Sequence, residues 1–240
     1  MKPKRGWTNS WRAIAVVAAF AAAWPAQAQN AKTPYQAMAP LEQYLLADRQ
    51  EEIKLARSAA PDSISADAEV LVLGTHGYET AVQGKNGFVC MVERSWMAPI
   101  NDPDFWNPKL RAPICLNAPA ARSYLPRTIK KTELVIAGRT KTQMFDAIVA
   151  AIDKKELPAP EPGAMSYMLS KQGYLGTQVA GPCLPHLMFF APKTDSSAWG
   201  ADLPGSPIIT FQNSEERMTV FLIPVRSWSD GTPAPPHDAH

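Results

Sequence analysis

Residues 68–96 read AEVLVLGTHGYETAVQGKNGFVCMVERSW, and the fold turns on how this stretch is divided. Ala68 to Gly74 is rich in β-branched and aliphatic residues, Tyr78 to Gln83 has the length of a second strand, and Phe88 to Trp96 returns to an apolar run. Short apolar runs bounded by glycine and polar residues fit strands better than a helix. Between the second and third runs stands Gly84-Lys85-Asn86-Gly87. Asn-Gly supplies the positive φ angles of a tight hairpin turn, so the expectation is an antiparallel three-strand meander.

Downstream, Met97 to Asn117 contains Pro99, Pro103, Pro108 and Pro113 among Asn101, Trp106 and Asn107, with Pro119 just beyond. This reads as a long irregular loop, of the kind that is functional or tied down. Pro119 suits a first helical turn, and Pro126 divides the following helical region into a short helix and a longer one to about Ala137. Met144, Phe145, Ile148, Val149 and Ile152 form a broad apolar stripe, and Thr140 and Gln143 stand at capping-box spacing. Residues 157–163, LPAPEPG, make a stiff connector. Four further strands are expected at Ala164–Ser170, His186–Ala191, Pro207–Gln212 and Met218–Val225, the last two joined across Asn213-Ser214-Glu215-Glu216. Upstream, Pro40 to Ala60 reads as one helix. Strands, helices and strands in that order predict an α+β fold, a largely antiparallel sheet with the helices of mid-chain packed on it.

The N-terminus has a different character. Lys2, Lys4, Arg5 and Arg12 precede the apolar run Ala13–Ala23, and Ala26-Gln27-Ala28 follows. Positive flank, apolar core and A-x-A exit form a secretory signal cleaved after Ala28. Eleven apolar residues span about 16 Å as a helix, half of a hydrocarbon core, so no stable membrane anchor is expected. No cysteine near the cut offers a lipid attachment, and the absence of a twin-arginine pair favours export in the unfolded state. The expected organisation is a signal peptide (1–28), a single domain (29–228) and a disordered tail (229–240), in the periplasm or outside the cell.

Export changes the charge. Four of the 24 basic residues leave with the signal, so 20 face 22 acids and the net charge falls from +2 to −2. With no basic run, no nucleic-acid partner is expected. Arg127, Lys130, Lys131, Arg139 and Lys141 read as the solvated side of two helices.

Two stretches, Gly84–Val92 with Pro113-Ile114-Cys115 and Gly163–Ser170 (GAMSYMLS) with Pro185–Phe190 (PHLMFF), resemble a family of uncharacterised exported bacterial proteins. The resemblance covers most of the mature chain. It implies a stable exported domain and no particular activity.

Three cysteines in an oxidising compartment allow one internal bridge. Cys90 lies on the third strand and Cys115 at the far end of the proline-rich loop, so a Cys90–Cys115 disulfide closing that loop is expected, worth roughly 3 kcal/mol on the loop-entropy model. Cys183 remains, three residues before His186. The pair is compatible with a nucleophile and base, with half a zinc site, or with a small buried cysteine beside a hydrogen-bonded histidine. The last is preferred, and no catalytic residue, metal or cofactor is assigned. His76 reads as a turn histidine, while His237 and His240 lie in the tail. Serine-hydrolase, P-loop and dinucleotide motifs are absent from the sequence. The remaining candidates for ligand binding are Ser166, Tyr167, Lys171 and His186, with Ser170 and Tyr174 nearby on what reads as a polar strand face. Trp96, Trp106, Trp199 and Trp228, in or near loops, serve either to bind a ligand or to cap the sheet ends. The functional expectation is a non-enzymatic domain binding a small molecule or an envelope protein; the alternative is a thiol enzyme built on Cys183 and His186.

Overall fold

In the computed structural model, which describes residues 35–176, 184–213 and 216–235, residues 68–96 form β1 (Glu69–Gly74), β2 (Gly77–Val82) and β3 (Val89–Glu93). They are not a meander. β2 pairs antiparallel with β1, but β3 lies on the other side of β1 and runs parallel to it, with Val70 level with Cys90. Burial explains the order. Every residue of β3 is buried, whereas Glu79 and Thr80 of β2 are exposed. A meander would place the half-polar strand inside and the apolar one beside solvent; the observed order puts β2 at the rim.

The 83–88 link therefore passes the start of β1 instead of forming a hairpin. Lys85 N–H donates to Asp67 O (2.8 Å) and Glu69 N–H to Phe88 O (2.9 Å). A Cβ at Gly84 would sit 2.2 Å from the Glu69 nitrogen, so the crossing admits only glycine. Asn86-Gly87 serves this crossing. Gly87 has a φ of 77°, and Asn86 accepts from Phe88 N–H (3.1 Å) while donating to Ile64 O (2.7 Å).

The irregular stretch expected from Met97 to Asn117 ends in a strand. β4 (Ala112–Leu116) pairs antiparallel with β3 and sets Cys115 directly opposite Cys90. The two are disulfide-bonded, with Cα atoms 4.0 Å apart. Pro113 is tolerated in β4 because β5 (Met165–Met168) pairs only with Cys115 and Leu116, leaving the proline beyond the shared ladder. The sheet continues through β6 (His186–Pro192), β8 (Met218–Pro224) and β7 (Ile209–Asn213), giving the order β2-β1-β3-β4-β5-β6-β8-β7. Apart from the β1–β3 pair, all neighbours are antiparallel.

The helix expected over residues 40–60 is broken. A 3-10 turn at Leu41–Gln43 precedes α1 (Arg49–Arg57), and α2 (Asp62–Ser65) follows Pro61. The break is local chemistry: the Asp48 carboxylate accepts from Gln50 N–H (2.7 Å) and starts a new helix. α3 (Ala118–Ser123) and α4 (Leu125–Ile136) divide just before Pro126, and α5 (Lys141–Asp153) carries the full Thr140/Gln143 capping box.

Alternation along β1, β3 and β4 buries both faces of the sheet. On one face Ile53 and Ala56 of α1 meet Val70, Val72, Cys90, Val92 and Cys115. On the other, Ala120 and Tyr124 meet Leu71, Val89, Met91, Ile114 and Leu116. α5 packs outside α4. The fold is thus α+β, with helices packed on a largely antiparallel sheet. Trp96, Trp106 and Trp228 are buried, while Trp199 stays exposed and stacks on Phe221 with ring centroids 4.1 Å apart.

Two of the basic residues expected to be solvated are inside. Arg127 donates to Glu216 O (3.0 Å) and Pro158 O (2.8 Å), and Lys131 pairs with the Glu216 carboxylate at 2.5 Å. A second buried pair, Arg94–Glu52 at 2.8 Å, fixes α1 to the sheet; Arg94 also donates to Tyr44 O (2.8 Å), and Glu52 accepts from Leu73 N–H (3.1 Å). Among the described residues no helix is long and apolar enough to cross a membrane.

Candidate functional site

β6, β8 and β7 finish near one another, with His186 level with Pro224 and Ile209 level with Leu222. Leu184 ahead of β6, Pro224–Arg226 leaving β8 and the 202–208 loop leading into β7 converge at this end. Residues 233–235 close the remaining side. Composition reads residues 229–240 as a disordered tail, yet residues 229–235 turn back on the sheet: Ser229 N–H donates to Leu169 O (3.0 Å) and Ala234 N–H to Arg226 O (2.8 Å). The burial of Trp228 supplies the reason, since its ring anchors the turn. Residues 236–240, with His237 and His240, lie outside the described residues.

The space is an open groove of about 1040 Å³, just above the size range of small-molecule sites. Leu184, Leu203, Ile208, Ile209 and Val225 give it apolar walls, and prolines with fixed φ hold their shape. The 202–208 loop is braced internally. Asp202 N–H donates to Ile208 O (2.9 Å) and Ile208 N–H to Ser206 Oγ (3.1 Å). The Asp202 carboxylate accepts from Thr210 N–H (3.0 Å) and from the Thr210 hydroxyl.

The four expected binding residues do not form one surface. Ser166 and Tyr167 are consecutive in a strand and point to opposite faces. Ser166 is buried, and its hydroxyl has no hydrogen-bond partner among the described residues. Tyr167 lies level with Cys115 on the α1 side, its ring 6.2 Å from that of Phe88. β5 ends at Met168, so Lys171 sits in a turn, where it pairs with Asp230 at 2.7 Å. Both partners are exposed, and this ion pair with the Thr232 hydroxyl holds the Asp230 carboxyl well below its ordinary range. Ser170 faces Ser58, with hydroxyl oxygens 2.7 Å apart, and Tyr174 bridges to Arg111.

Of the four, His186 alone stands next to the groove, two residues after Leu184 and level with Pro224 of its wall. Its Nδ1 lies 2.7 Å from Leu184 O; because a carbonyl only accepts, that nitrogen carries the proton. Burial lowers the His186 pKa, partly offset by this bond. Cys183 lies outside the described residues. His76 is exposed in the β1–β2 turn. Among the described residues no three His, Cys, Asp or Glu side chains converge on a metal position.

Sequence reasoning missed a buried polar network. The Glu93 carboxylate accepts from the Thr128 hydroxyl (3.1 Å) and bonds the Tyr124 hydroxyl. Burial pushes Glu93 up to about 7, against the opposing pull of Thr128 and Lys131. Burial also acts to raise Glu216, but Lys131, Asn213 and Arg127 outweigh it and hold that carboxyl down. A signal was present: Tyr124, Arg127, Thr128, Lys131, Thr132 and Val135 recur at helical spacing on the face that α4 buries.

No family model, curated protein or solved structure matches this chain.

Proposed function

We propose that this chain is an exported domain, acting in the periplasm or outside the cell, that binds a small molecule in the groove at the β6–β8–β7 end without transforming it. The groove carries the reading, since it combines apolar walls, a braced loop and the size of a ligand site. Export is supported by the A-x-A sequence ending at Ala28 and by the buried Cys90–Cys115 disulfide, a bond that persists in oxidising compartments. The intact mass of protein recovered from the exported fraction should begin at Gln29; retention of residues 1–28 would refute the signal.

Binding is tested by thermal unfolding against a panel of apolar small molecules. At least one should raise the melting temperature with concentration, and Leu203→Glu, which sets a charge at an exposed wall position, should abolish the shift. A panel without a hit, or a shift indifferent to Leu203→Glu, ends the reading. Cys183→Ser should leave binding intact, whereas a thiol enzyme would lose its chemistry.

A further inference from the structure

The groove's N–H donors and charged side chains define the class of ligand, an inference that rests on the groove reading above. Of the fifteen residues lining it, Pro204, Pro207, Pro224, Pro233 and Pro235 have no N–H to offer. The Val225 N–H is taken by Pro185 O (2.9 Å), and Arg226 O by Ala234 N–H. Asp202 is occupied by Thr210, and Ser206 Oγ by Ile208 N–H. A sugar or nucleotide needs many donors and finds few N–H groups here. One charged side chain is left. The exposed Arg226 guanidinium, a planar donor fork suited to a carboxylate, has no ion-pair partner among the described residues.

Placement supplies the rest. By strand alternation Val220, Leu222 and Pro224 share a face, and Ile209 and Phe211 of β7 lie on it level with Leu222 and Val220; Arg226 follows two residues after β8 ends and lines the groove with Pro224. Phe211 is 54% exposed and prolongs the apolar strip beyond the groove. From Pro224 to the level of Phe211 is four residues, about 13 Å at strand rise. That falls short of half a bilayer core, about 15 Å, so a medium-length acyl chain fits along it.

We infer that the groove takes a single-chain anionic amphiphile, a medium-chain carboxylate bound as a monomer, with its head at Arg226 and its chain along Pro224, Ile209 and Leu203. Titration calorimetry of the full chain with decanoate, decanol and decyltrimethylammonium, each below its micellar concentration, tests this. Decanoate should bind one to one and about fivefold more tightly than decanol, the range of a solvent-exposed charge pair. Arg226→Gln should remove that preference and leave decanol unchanged; Leu203→Glu should weaken both. Equal affinity for the three probes, or indifference to Arg226→Gln, overturns the inference and leaves the groove reading standing. Binding only to vesicles that contain the carboxylate overturns it too. If no probe binds, the amphiphile is refuted, and the thermal panel separately decides the groove.

Discussion

The two ends of the sheet are built on different terms. β1, β3 and β4 lie between α1 on one face and α3 and α4 on the other, are crossed by a disulfide and are pinned by a buried ion pair. β6, β8 and β7 lack that enclosure: Trp199, Leu203 and Phe211 are exposed around them, and their ends open into the groove. The difference separates duties. Apolar burial and covalent closure concentrate at one end, and the thinly covered other end leaves surface for the ligand proposed above. Joining the two is the network in which α4 holds Glu93 on β3 and, through Arg127 and Lys131, Glu216 beside β8.

The largest effect should come from the enclosed end. Arg94→Met strands Glu52 as a buried, uncompensated carboxylate and should cost about 3–5 kcal/mol in denaturant unfolding. Adding Glu52→Gln should recover part of that loss, and a double mutant no better than the single would contradict the pairing. Next, Cys90→Ala with Cys115→Ala should cost roughly 3 kcal/mol. Below its lowered melting transition this variant should keep its groove ligand; loss of binding in a still-folded variant would mean the two ends are not separable.

The joint should respond to pH. Folded Glu93 stays protonated up to about 7, whereas the unfolded carboxyl ionises near 4.5. Its contribution to stability is therefore full below the lower value and is lost as pH rises through the upper one, a change on the order of 3 kcal/mol. Glu216, held down in the fold, acts in the opposite sense and loses its contribution as pH falls. Glu93→Gln should flatten stability between pH 5 and 8 without changing the acid limb, as chemical unfolding across that range will show. The smallest effect belongs to the open end: Trp199→Ala removes the ring stacked on Phe221 and should cost about 1 kcal/mol. Hydrogen exchange should quicken in β8 while β3 stays protected.

What could be read in advance followed the reach of each signal. The capping box at Thr140 and the division before Pro126 depend on neighbours along the chain and appear as read. So does the disulfide, which needs only oxidation and two of three cysteines. Asn86-Gly87 misled because positive φ is a local need that a crossing meets as well as a hairpin does; only the burial contrast between β2 and β3 decides between them. β4 was hidden by Pro113, whose harmlessness depends on β5 ending early, a distant fact. At the candidate site His186 adjoins the groove, but Ser166, Tyr167 and Lys171 were grouped on a strand that stops at Met168. The groove itself is assembled from four separate stretches, so no contiguous motif announces it.

A strand at the rim of a sheet is a template on which another chain can pair, and in a crowded compartment that is a route to aggregation. Both rims here are obstructed by side chains. The Asp202 carboxylate occupies the Thr210 N–H on β7, and Arg49, paired with Glu79, reaches the Thr80 carbonyl on β2. With those main-chain groups already engaged, the ladder that a second copy could extend is interrupted on each rim, even beside the exposed Phe211. Such interruption works against the edge-to-edge pairing from which fibres nucleate.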